Sequence, residues 1–346
     1  MRQHILGQGK AMAETLAANR EKIEAFRFTG FKHLLLSGAG DKFATPLMCL
    51  PFYRQFAEVP AEVIHARNLA AYPPNYLGPD TLVVFLTQSG KTRDVLDAVE
   101  VCIQRNTKLV AITNLKPDLV EKPGIWHIED HNGIVLNTYT TIYPEKPTPS
   151  TQTFFTSALL LYMCLAQLVK YDISSELDRL CLLVEELSAS SEEKWKKQAK
   201  AFSRRMPAYF MGDGPRFGAA YKAAMIMAME AMKEDAAAVH TEEFLHSLVE
   251  TLEKDNRKKQ LLVLFMPPQG APMRAHAEKI LETWKSHAPV MALEPVKVSS
   301  DPVLNDLLGP MLQIIPVEWL TYWGAIFKGT DPGKTDIVKK VRTGGF

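Results

Sequence analysis

Short apolar runs alternate along the chain with longer segments of mixed polarity. The stretch 31–50, FKHLLLSGAGDKFATPLMCL, has the pattern of a strand, a glycine turn and a helix. The stretch 81–114, TLVVFLTQSGKTRDVLDAVEVCIQRNTKLVAITN, has the pattern of a strand, a turn, a helix and a second strand. Such alternation predicts a parallel sheet covered by helices on both faces. In these sheets ligands bind beyond the carboxyl ends of the strands, where the strand order reverses.

The pattern occurs twice along the chain. The stretch 206–227 has the same form as 31–50, with Gly40 and Gly214 lying 174 positions apart. The stretch 260–295 echoes 81–114, with Gly90 and Gly270 lying 180 positions apart. The sequence therefore predicts an α/β protein of two tandem domains, each a three-layer αβα sandwich around a parallel sheet.

The repeat also sets the expected domain limits. The charged stretch 188–205 is expected to be a solvated helix that joins the two copies, since no heptads persist that would favour a coiled coil. The expected order is an N-terminal helix (1–29), a first domain (30–187), this linker, a second domain (206–328) and a C-terminal tail that closes the active site (329–346).

The turn TQSGKT, residues 87–92, is the first candidate for chemistry. It ends in the Gly-Lys-Thr of a nucleotide-binding P-loop, but that motif needs a second glycine where Phe85 stands inside an apolar run. Three hydroxyls before a helix N-terminus suit a single phosphate monoester. Ser and Thr at this place are also ordinary helix N-caps, and the turn alone does not separate the two interpretations.

The second copy differs from the first at this turn. Its residues 267–272 read Pro-Pro-Gln-Gly-Ala-Pro, so the hydroxyls are gone and prolines remove backbone donors. A polar turn kept in one copy and lost in the other favours an anion site in the first copy over a plain N-cap.

Composition narrows the class of protein. A formal net charge of +1 favours neither nucleic acid nor an anionic membrane as partner. The four cysteines show no paired spacing, which argues against a zinc site or a disulfide framework and fits a reducing cytoplasm. The N-terminus is a polar amphipathic helix with no signal-peptide pattern. The apolar run 158–168 is too short to span a bilayer and is expected to be a core helix. No metal or cofactor is expected.

Four motifs together resemble a known family, the tandem sugar isomerase (SIS) domain proteins. They are SGAGDKFA (37–44), TQSGKT (87–92), AITN (111–114) and PSTQTFFTSALLL (149–161). The resemblance spans residues 30–341 and is nearest to the fructosamine-6-phosphate deglycases and to the isomerase part of glucosamine-6-phosphate synthase. It implies a phosphosugar substrate whose phosphate is held by five side chains, those of Thr87, Gln88, Ser89, Thr92 and Ser150.

Glu230 is the candidate for proton transfer. It stands among methionines on an otherwise apolar helix, where lost solvation would raise its pKa towards the range useful for a general base. The alternative is a glutamate at the solvent edge of that helix. The resemblance favours the first interpretation, because related enzymes place a catalytic Glu and His sixteen residues apart. Here His246 is that distance from Glu230, and Glu243 precedes His246 by three positions.

The resemblance assigns the remaining site residues. His246 would open the sugar ring and would reach the site of a neighbouring subunit, which implies a homodimer or a higher oligomer. Lys339 would contact the open-chain sugar, although Lys339 and Lys340 also fit a basic helix end. The expected substrate-binding residues are Gly40, Lys42, His240 and Glu243.

Several positions depart from the family pattern. Lys42 replaces a serine, Met227 replaces the lysine three positions before the catalytic Glu, and Ser247-Leu248 replace a Gly-Pro pair. With no glutaminase domain in the sequence, these departures argue against amino-sugar synthesis. The leading expectation is a fructosamine-6-phosphate-type deglycase. An aldose–ketose or amino-sugar phosphate isomerase or deaminase is the alternative among enzymes, and a sugar-phosphate sensor is the alternative from another class.

Overall fold

The computed structural model describes residues 1–26, 29–116, 124–145, 149–253 and 259–342. The first half of the chain forms five strands and their covering helices. The strands are β1 (His33–Gly38), β2 (Ala61–His65), β3 (Thr81–Thr87), β4 (Lys108–Thr113) and β5 (Ile134–Asn137). The helices up to the junction with the second half are α1 (Arg2–Leu6), α2 (Gln8–Glu24), α3 (Asp41–Phe56), α4 (Ala66–Ala71), α5 (Arg93–Gln104), α6 (Gln152–Val169), α7 (Ser174–Ser190) and α8 (Glu192–Phe202).

The second half forms four strands and a similar set of helices. The strands are β6 (Ala208–Met211), β7 (Ala236–Val239), β8 (Leu261–Phe265) and β9 (Val290–Leu293). The helices are α9 (Pro215–Tyr221), a π-helix (Lys222–Met232), α10 (Thr241–His246), α11 (Arg274–Lys285), α12 (Pro302–Leu308), α13 (Ile314–Phe327) and α14 (Asp336–Arg342). Among the described residues of both halves, 3₁₀ helices lie at Gly124–His131, Leu248–Glu253 and Gly309–Met311.

Both sheets are parallel throughout and have corresponding strand orders. The first runs β2-β1-β3-β4-β5 and the second runs β7-β6-β8-β9. The predicted α/β fold with parallel sheets is thus confirmed. The shared order agrees with the predicted repeat, whereas the assignment of the second half as a second SIS domain stays a prediction.

Side chains on both faces of each sheet are buried, as a three-layer arrangement requires. Leu34 and Phe210, from the central strands β1 and β6, belong to one continuous apolar core shared by both halves. Phe85 on the opposite face of the first sheet and Leu264 on the opposite face of the second belong to two separate smaller cores. The halves are therefore joined through a common interior.

Helices α3 and α9 form the seam between the halves. They pack so closely that a Cβ added to Gly218 would lie 2.3 Å from the backbone nitrogen of Met48. Glycine at position 218 is what allows this approach, since a side chain there would collide with backbone. The Tyr162 hydroxyl also crosses the seam and donates to the carbonyl of Leu307 at 3.0 Å.

The N-terminal helix and the linker, both expected to lie outside the two domains, pack against the rest of the protein. The predicted N-terminal helix is split into α1 and α2, and Ile5 and Met12 are fully buried. The region 188–205, predicted as a linker, contains the end of α7 and all of α8. It is not fully solvated, however, because Ala199 and Phe202 are buried on the face of α8 that packs against α13.

Helix α6 is the expected core helix. It is the one described helix long and apolar enough to cross a membrane, yet 78% of that window is buried inside the protein. Its apolar composition is therefore accounted for by core packing. All four cysteines are buried and none forms a disulfide.

Candidate functional site

The strand order reverses between β1 and β3, which lie side by side in the first sheet. From β1 the chain crosses to β2 on one side, and from β3 it crosses to β4 on the other. Gly38 pairs with Leu86, so the turn after β1 and the turn after β3 start at the same sheet edge. Open parallel sheets bind their ligands in the crevice at such a switch point.

The three hydroxyls of the turn 87–92, here called the hydroxyl turn, converge. The Thr92 hydroxyl oxygen lies 3.4 Å from that of Thr87 and 3.4 Å from that of Ser89. Thr92 is the N-cap residue of α5, but its side chain makes no capping hydrogen bond. Because the hydroxyls face one another instead of capping the helix, the turn has the arrangement expected of an anion site.

Gly90 gives the hydroxyl turn its shape. Its φ of +63° is in the region that favours glycine. A Cβ at this position would also lie 2.5 Å from a methyl carbon of Leu115. The positive φ and the nearby Leu115 side chain therefore both favour glycine at position 90.

Gln88 and Ser150, predicted to join the phosphate site, are used within the protein. The Gln88 side-chain nitrogen donates to the backbone carbonyl of Glu145 at 3.4 Å. The Ser150 hydroxyl, which is buried, donates to the carboxylate of Asp41. Ser150 thus lies against the turn after β1 and makes no bond to the hydroxyl turn.

Glu145 occupies the N-terminus of α6. Its carboxylate accepts the backbone N–H groups of Thr151, Gln152 and Thr153 at 2.7, 2.8 and 2.8 Å. These are the orphan donors of a helix start, which would otherwise attract an anion. The protein's own carboxylate therefore fills this second helix terminus near the crevice.

A buried ion network lies at the floor of the crevice. Asp41 accepts from Lys222 at 2.5 Å and from Lys42 at 3.1 Å, and Lys222 also donates to the carbonyl of Ser150 at 2.5 Å. Burial raises the pKa of the Asp41 carboxyl, but the charges of Lys222 and Lys42 outweigh burial and hold that pKa below its ordinary value. Lys222 belongs to the second half of the chain, so the network ties the two halves together at the site.

Lys42 is part of this network. Its ammonium group is buried and donates to the backbone carbonyl of Thr153 at 2.5 Å. Burial lowers the pKa of Lys42, and the charge of Asp41 opposes that effect. The expected cation after the first glycine turn is present, but its ammonium is directed into the protein. Gly40, with a φ of +57°, forms the sharp turn that precedes it.

Glu230 lies near the end of the π-helix, on a half-exposed stripe. Its neighbours there, Met225 and Met229, are 38% and 36% exposed. The Lys233 ammonium donates to the backbone carbonyl of Glu230. The stripe is apolar in composition but open to solvent, so Glu230 is accessible rather than enclosed. A π-helix has a wider turn than an α-helix and is frequent at functional sites.

The segment after β7 carries the histidine candidates. His240 stacks on Phe217 with ring centroids 3.8 Å apart, and its Nδ1 lies 3.3 Å from the Asp213 carboxylate. His246 and Glu243 are exposed on the short helix α10. The backbone of Lys339 lies in α14, and its side chain is outside the described residues.

Sequence analysis missed the residues that pair inside the protein. Asp41, Glu145, Lys222 and the buried Glu318 were not singled out. Lys222 and Glu318 are each the single charged residue of an apolar stretch, KAAMIMAM and IIPVEWLTYW respectively. A lone charge in such a stretch is the pattern from which their burial could have been predicted. Nothing in the sequence shows that Lys222 meets a carboxylate 181 positions away.

Glu318 lies apart from the network, on α13. The Gln8 side-chain nitrogen donates to its carboxyl at 3.0 Å. Burial raises the pKa of Glu318 to about 8. At neutral pH this carboxyl therefore carries its proton. Within the described parts of the chain, no cluster of three or more His, Cys, Asp or Glu side chains is placed to hold a metal ion.

Comparison with protein-family models found a match in the first half of the chain. The model of the SIS domain matches residues 28–167, the segment that carries the hydroxyl turn and the switch point. This part of the chain is therefore similar to a SIS domain.

Full-length similarity extends to phosphosugar enzymes. The glutamine–fructose-6-phosphate aminotransferase [isomerizing] of Pyrobaculum aerophilum is 26% identical over 99% of this chain, and the chain spans 57% of that relative's length. The solved C-terminal domain of glucosamine-fructose-6-phosphate aminotransferase from Francisella tularensis has a TM-score of 0.75 at 18% identity, covering 96% of this chain and 97% of that one. Glucosamine-6-phosphate deaminase from Thermotoga maritima has a TM-score of 0.72 at 18% identity, covering 96% and 95%.

These solved structures show that the fold is shared over nearly the whole chain. The SIS match and the relative from Pyrobaculum support an enzyme related to the SIS phosphosugar isomerases. The sequence identity to these solved structures is 18%, so they establish the shared fold and not a shared substrate.

Proposed function

We propose that the protein acts at C1 and C2 of an amine-linked sugar 6-phosphate, as a deglycase of the fructoselysine- or glucoselysine-6-phosphate type. The observation that carries this proposal is the hydroxyl turn, whose three converging hydroxyls lie at the switch point of a SIS domain. The names of the aminotransferase and deaminase relatives add amine chemistry on a phosphosugar. The phosphate would bind at Thr87, Ser89 and Thr92, far from the reacting carbons, and would fix their orientation.

The reaction balances with water as the only co-reactant. A base removes a proton from C1 of the ketosamine, and a proton is returned to C2. The amine nitrogen gives up its N–H proton and the C2 carbonyl oxygen gains one, so that the carbonyl becomes a hydroxyl. The product of this shift is an imine between C1 and the amine. Water adds to C1, the C1–N bond breaks, and an aldose 6-phosphate and a free amine are released.

Glu230 is the proposed group for the C1–C2 proton shift, and its accessible position suits a group that must meet substrate. His246 is the proposed acid and base for ring opening, since imidazole exchanges protons near pH 7. Its exposed place on α10 supports our inference that it serves the site of a second copy in a homodimer. Lys339 is proposed to contact the open-chain sugar. The four free, buried thiols support a cytoplasmic location.

The test is a product assay that separates three activities. Fructoselysine 6-phosphate is incubated with the protein, and the released amine and the aldose 6-phosphate are measured in equal amounts. Fructose 6-phosphate and glucosamine 6-phosphate are run beside it. Equimolar amine and aldose phosphate from the first substrate support the deglycase. Turnover of only the latter two would replace it by an isomerase or a deaminase, and binding without turnover of any would replace it by a sensor.

A further inference from the structure

A second cluster of cations surrounds a pocket on the second half of the chain. The pocket has a volume of about 270 Å³ and lies just before the amino-terminal ends of β6 and β8, whereas ligands of such sheets bind at the carboxyl ends. We call it the basic pocket. Its lining includes the cations Lys200, Arg204, Lys259 and Lys328 and the apolar side chains of Met206 and Phe327.

The cations come from three separate parts of the fold. Lys200 and Arg204 lie on and just after α8, Lys259 precedes β8, and Lys328 follows α13. Basic residues at the end of one helix are ordinary, because they compensate the helix dipole. Cations brought from three elements to one cavity need a further reason.

Capping does not supply that reason. After α8, the Arg205 N–H donates to the carbonyl of Phe202 at 3.1 Å. After α13, the Thr330 N–H donates to the carbonyl of Ala325 at 2.9 Å. Backbone groups thus already satisfy carbonyls at both helix ends. Among the pocket's cations, Lys328 makes one long contact of this kind, to the Ser203 carbonyl at 3.4 Å, and the Ser203 hydroxyl donates to the Lys200 carbonyl at 3.2 Å.

The charges of the pocket do not cancel. Lys328 pairs with Glu234, but no ion pair is found for Lys200, Arg204 or Lys259 among the residues that the structure describes. The four cations of the lining are opposed by Glu234 and by about half a negative charge at each of the two helix C-termini. Among the described residues this leaves an excess of about two positive charges around the cavity. In a protein whose net charge is +1, this is a local concentration of positive charge.

The apolar wall limits what fits. Phe327 is 44% exposed and gives the pocket a partly apolar wall. A compact anion beside a small apolar surface suits the pocket. We propose that the basic pocket binds a small polyanion of the phosphate class, carrying two or more negative charges, at a site separate from the hydroxyl turn.

The test is calorimetric titration of the full chain with inorganic pyrophosphate in low salt. Because pyrophosphate can also enter the hydroxyl turn, the titration uses the variant Ser89→Ala/Thr92→Val, in which that turn is disabled. One equivalent is expected to bind. Adding Arg204→Gln/Lys259→Gln should weaken the binding by about tenfold or more, since hydrogen bonds to charged groups are lost. The affinity should also fall with added sodium chloride.

The matched control removes the same charge elsewhere. Lys197→Gln/Lys279→Gln, both exposed and outside the pocket, is added to the same background and should leave the affinity within about twofold. Near-ultraviolet circular dichroism checks that all variants are folded. No binding in the Ser89→Ala/Thr92→Val background, or equal weakening by the two pairs of substitutions, would overturn the proposal. Neither result bears on the deglycase assay, which uses the wild-type chain.

Discussion

The turns 87–92 and 267–272 occupy corresponding places in the two halves but differ in what fills them. Each contains a glycine with positive φ, +63° at Gly90 and +82° at Gly270. In the first, the three hydroxyls converge on one another at the switch point. In the second, the Arg274 side chain donates to the carbonyl of Pro267 at 2.8 Å and pairs with Glu294 at 2.9 Å.

The second turn is thus held by the Arg274 side chain, whereas the first is held by long contacts among its own hydroxyls and by the Lys91 N–H, which donates to the Ser89 hydroxyl at 3.2 Å. The two turns share a glycine with positive φ but not their hydroxyl side chains, so we expect the turn geometry to serve the fold in both halves and a ligand only in the first. The two halves also treat a buried carboxyl differently. Asp41 in the first half meets two lysines and is ionised, while Glu318 in the second meets Gln8 and is neutral at pH 7.

The largest expected effect tests whether the first half binds the substrate phosphate while the second half supplies the proton-transfer group. Glu230→Gln keeps the size of the side chain but cannot shuttle a proton. We expect kcat to fall by about 10²- to 10⁴-fold. Phosphate binding, measured by titration with inorganic phosphate, should stay unchanged.

The matched variant is Glu243→Gln on α10. A modest loss there beside a large loss at Glu230 supports the assignment. The reverse result moves the proton transfer to Glu243.

The next effect tests the network that joins the halves. Lys222→Met leaves the buried Asp41 without its nearest cation, and breaking a buried pair in this way costs about 3–5 kcal/mol in the free energy of unfolding. Urea denaturation measures the loss. Adding Asp41→Asn should recover a large part of it, because the uncompensated charge is then gone. A loss below about 1 kcal/mol for Lys222→Met would show that the pair contributes little.

The contrast between the two buried carboxyls predicts a pH dependence. The pKa of Glu318 is about 8 in the folded protein and about 4.5 in the unfolded chain, so the folded state holds the proton more tightly. Its contribution is therefore complete below about pH 4.5 and is lost as pH rises through 8, by about 1.4 kcal/mol per pH unit in that window.

Glu318→Gln removes this titration. We expect its free energy of unfolding to fall less than that of the wild type between pH 5 and pH 8, as measured by urea denaturation at each pH. Parallel curves for the two proteins would contradict the buried, neutral state of Glu318.

The smallest effect addresses the two turns directly. Ser89→Ala should raise KM about tenfold with little change in kcat, since one hydrogen bond to a charged phosphate is lost. Gln269 stands at the corresponding position of the second turn, so Gln269→Ala is the control and should leave KM unchanged. Equal changes in KM for both variants would remove the functional difference between the turns.

The alternation of apolar runs was sufficient to predict the sheet and the hydroxyl turn. The run 81–87 is β3 and the helix after the turn begins at Arg93, because a buried parallel strand and a helix start both leave local marks in a sequence. The core helix predicted from the apolar run 158–168 lies within α6 for the same reason.

The pairing of buried charges could not be predicted. Asp41 and Lys222 meet because α3 and the π-helix pack together across the seam, and no local pattern encodes that contact. The π-helix was also missed, since a helical period in the sequence does not distinguish it from an α-helix. Residues 188–205 are less solvated than expected, because Ala199 and Phe202, two apolar side chains among many charged ones, bury one face of α8.

The glycine at position 218 has a consequence for the history of the chain. At the seam of α3 and α9 the backbones are too close to tolerate any side chain, and the apolar core runs across the same seam. Neither half is therefore a module that could be shuffled, swapped or inherited without the other. A recombination between homologous genes must preserve both faces of this contact, so the two halves are constrained to evolve as a single hereditary unit.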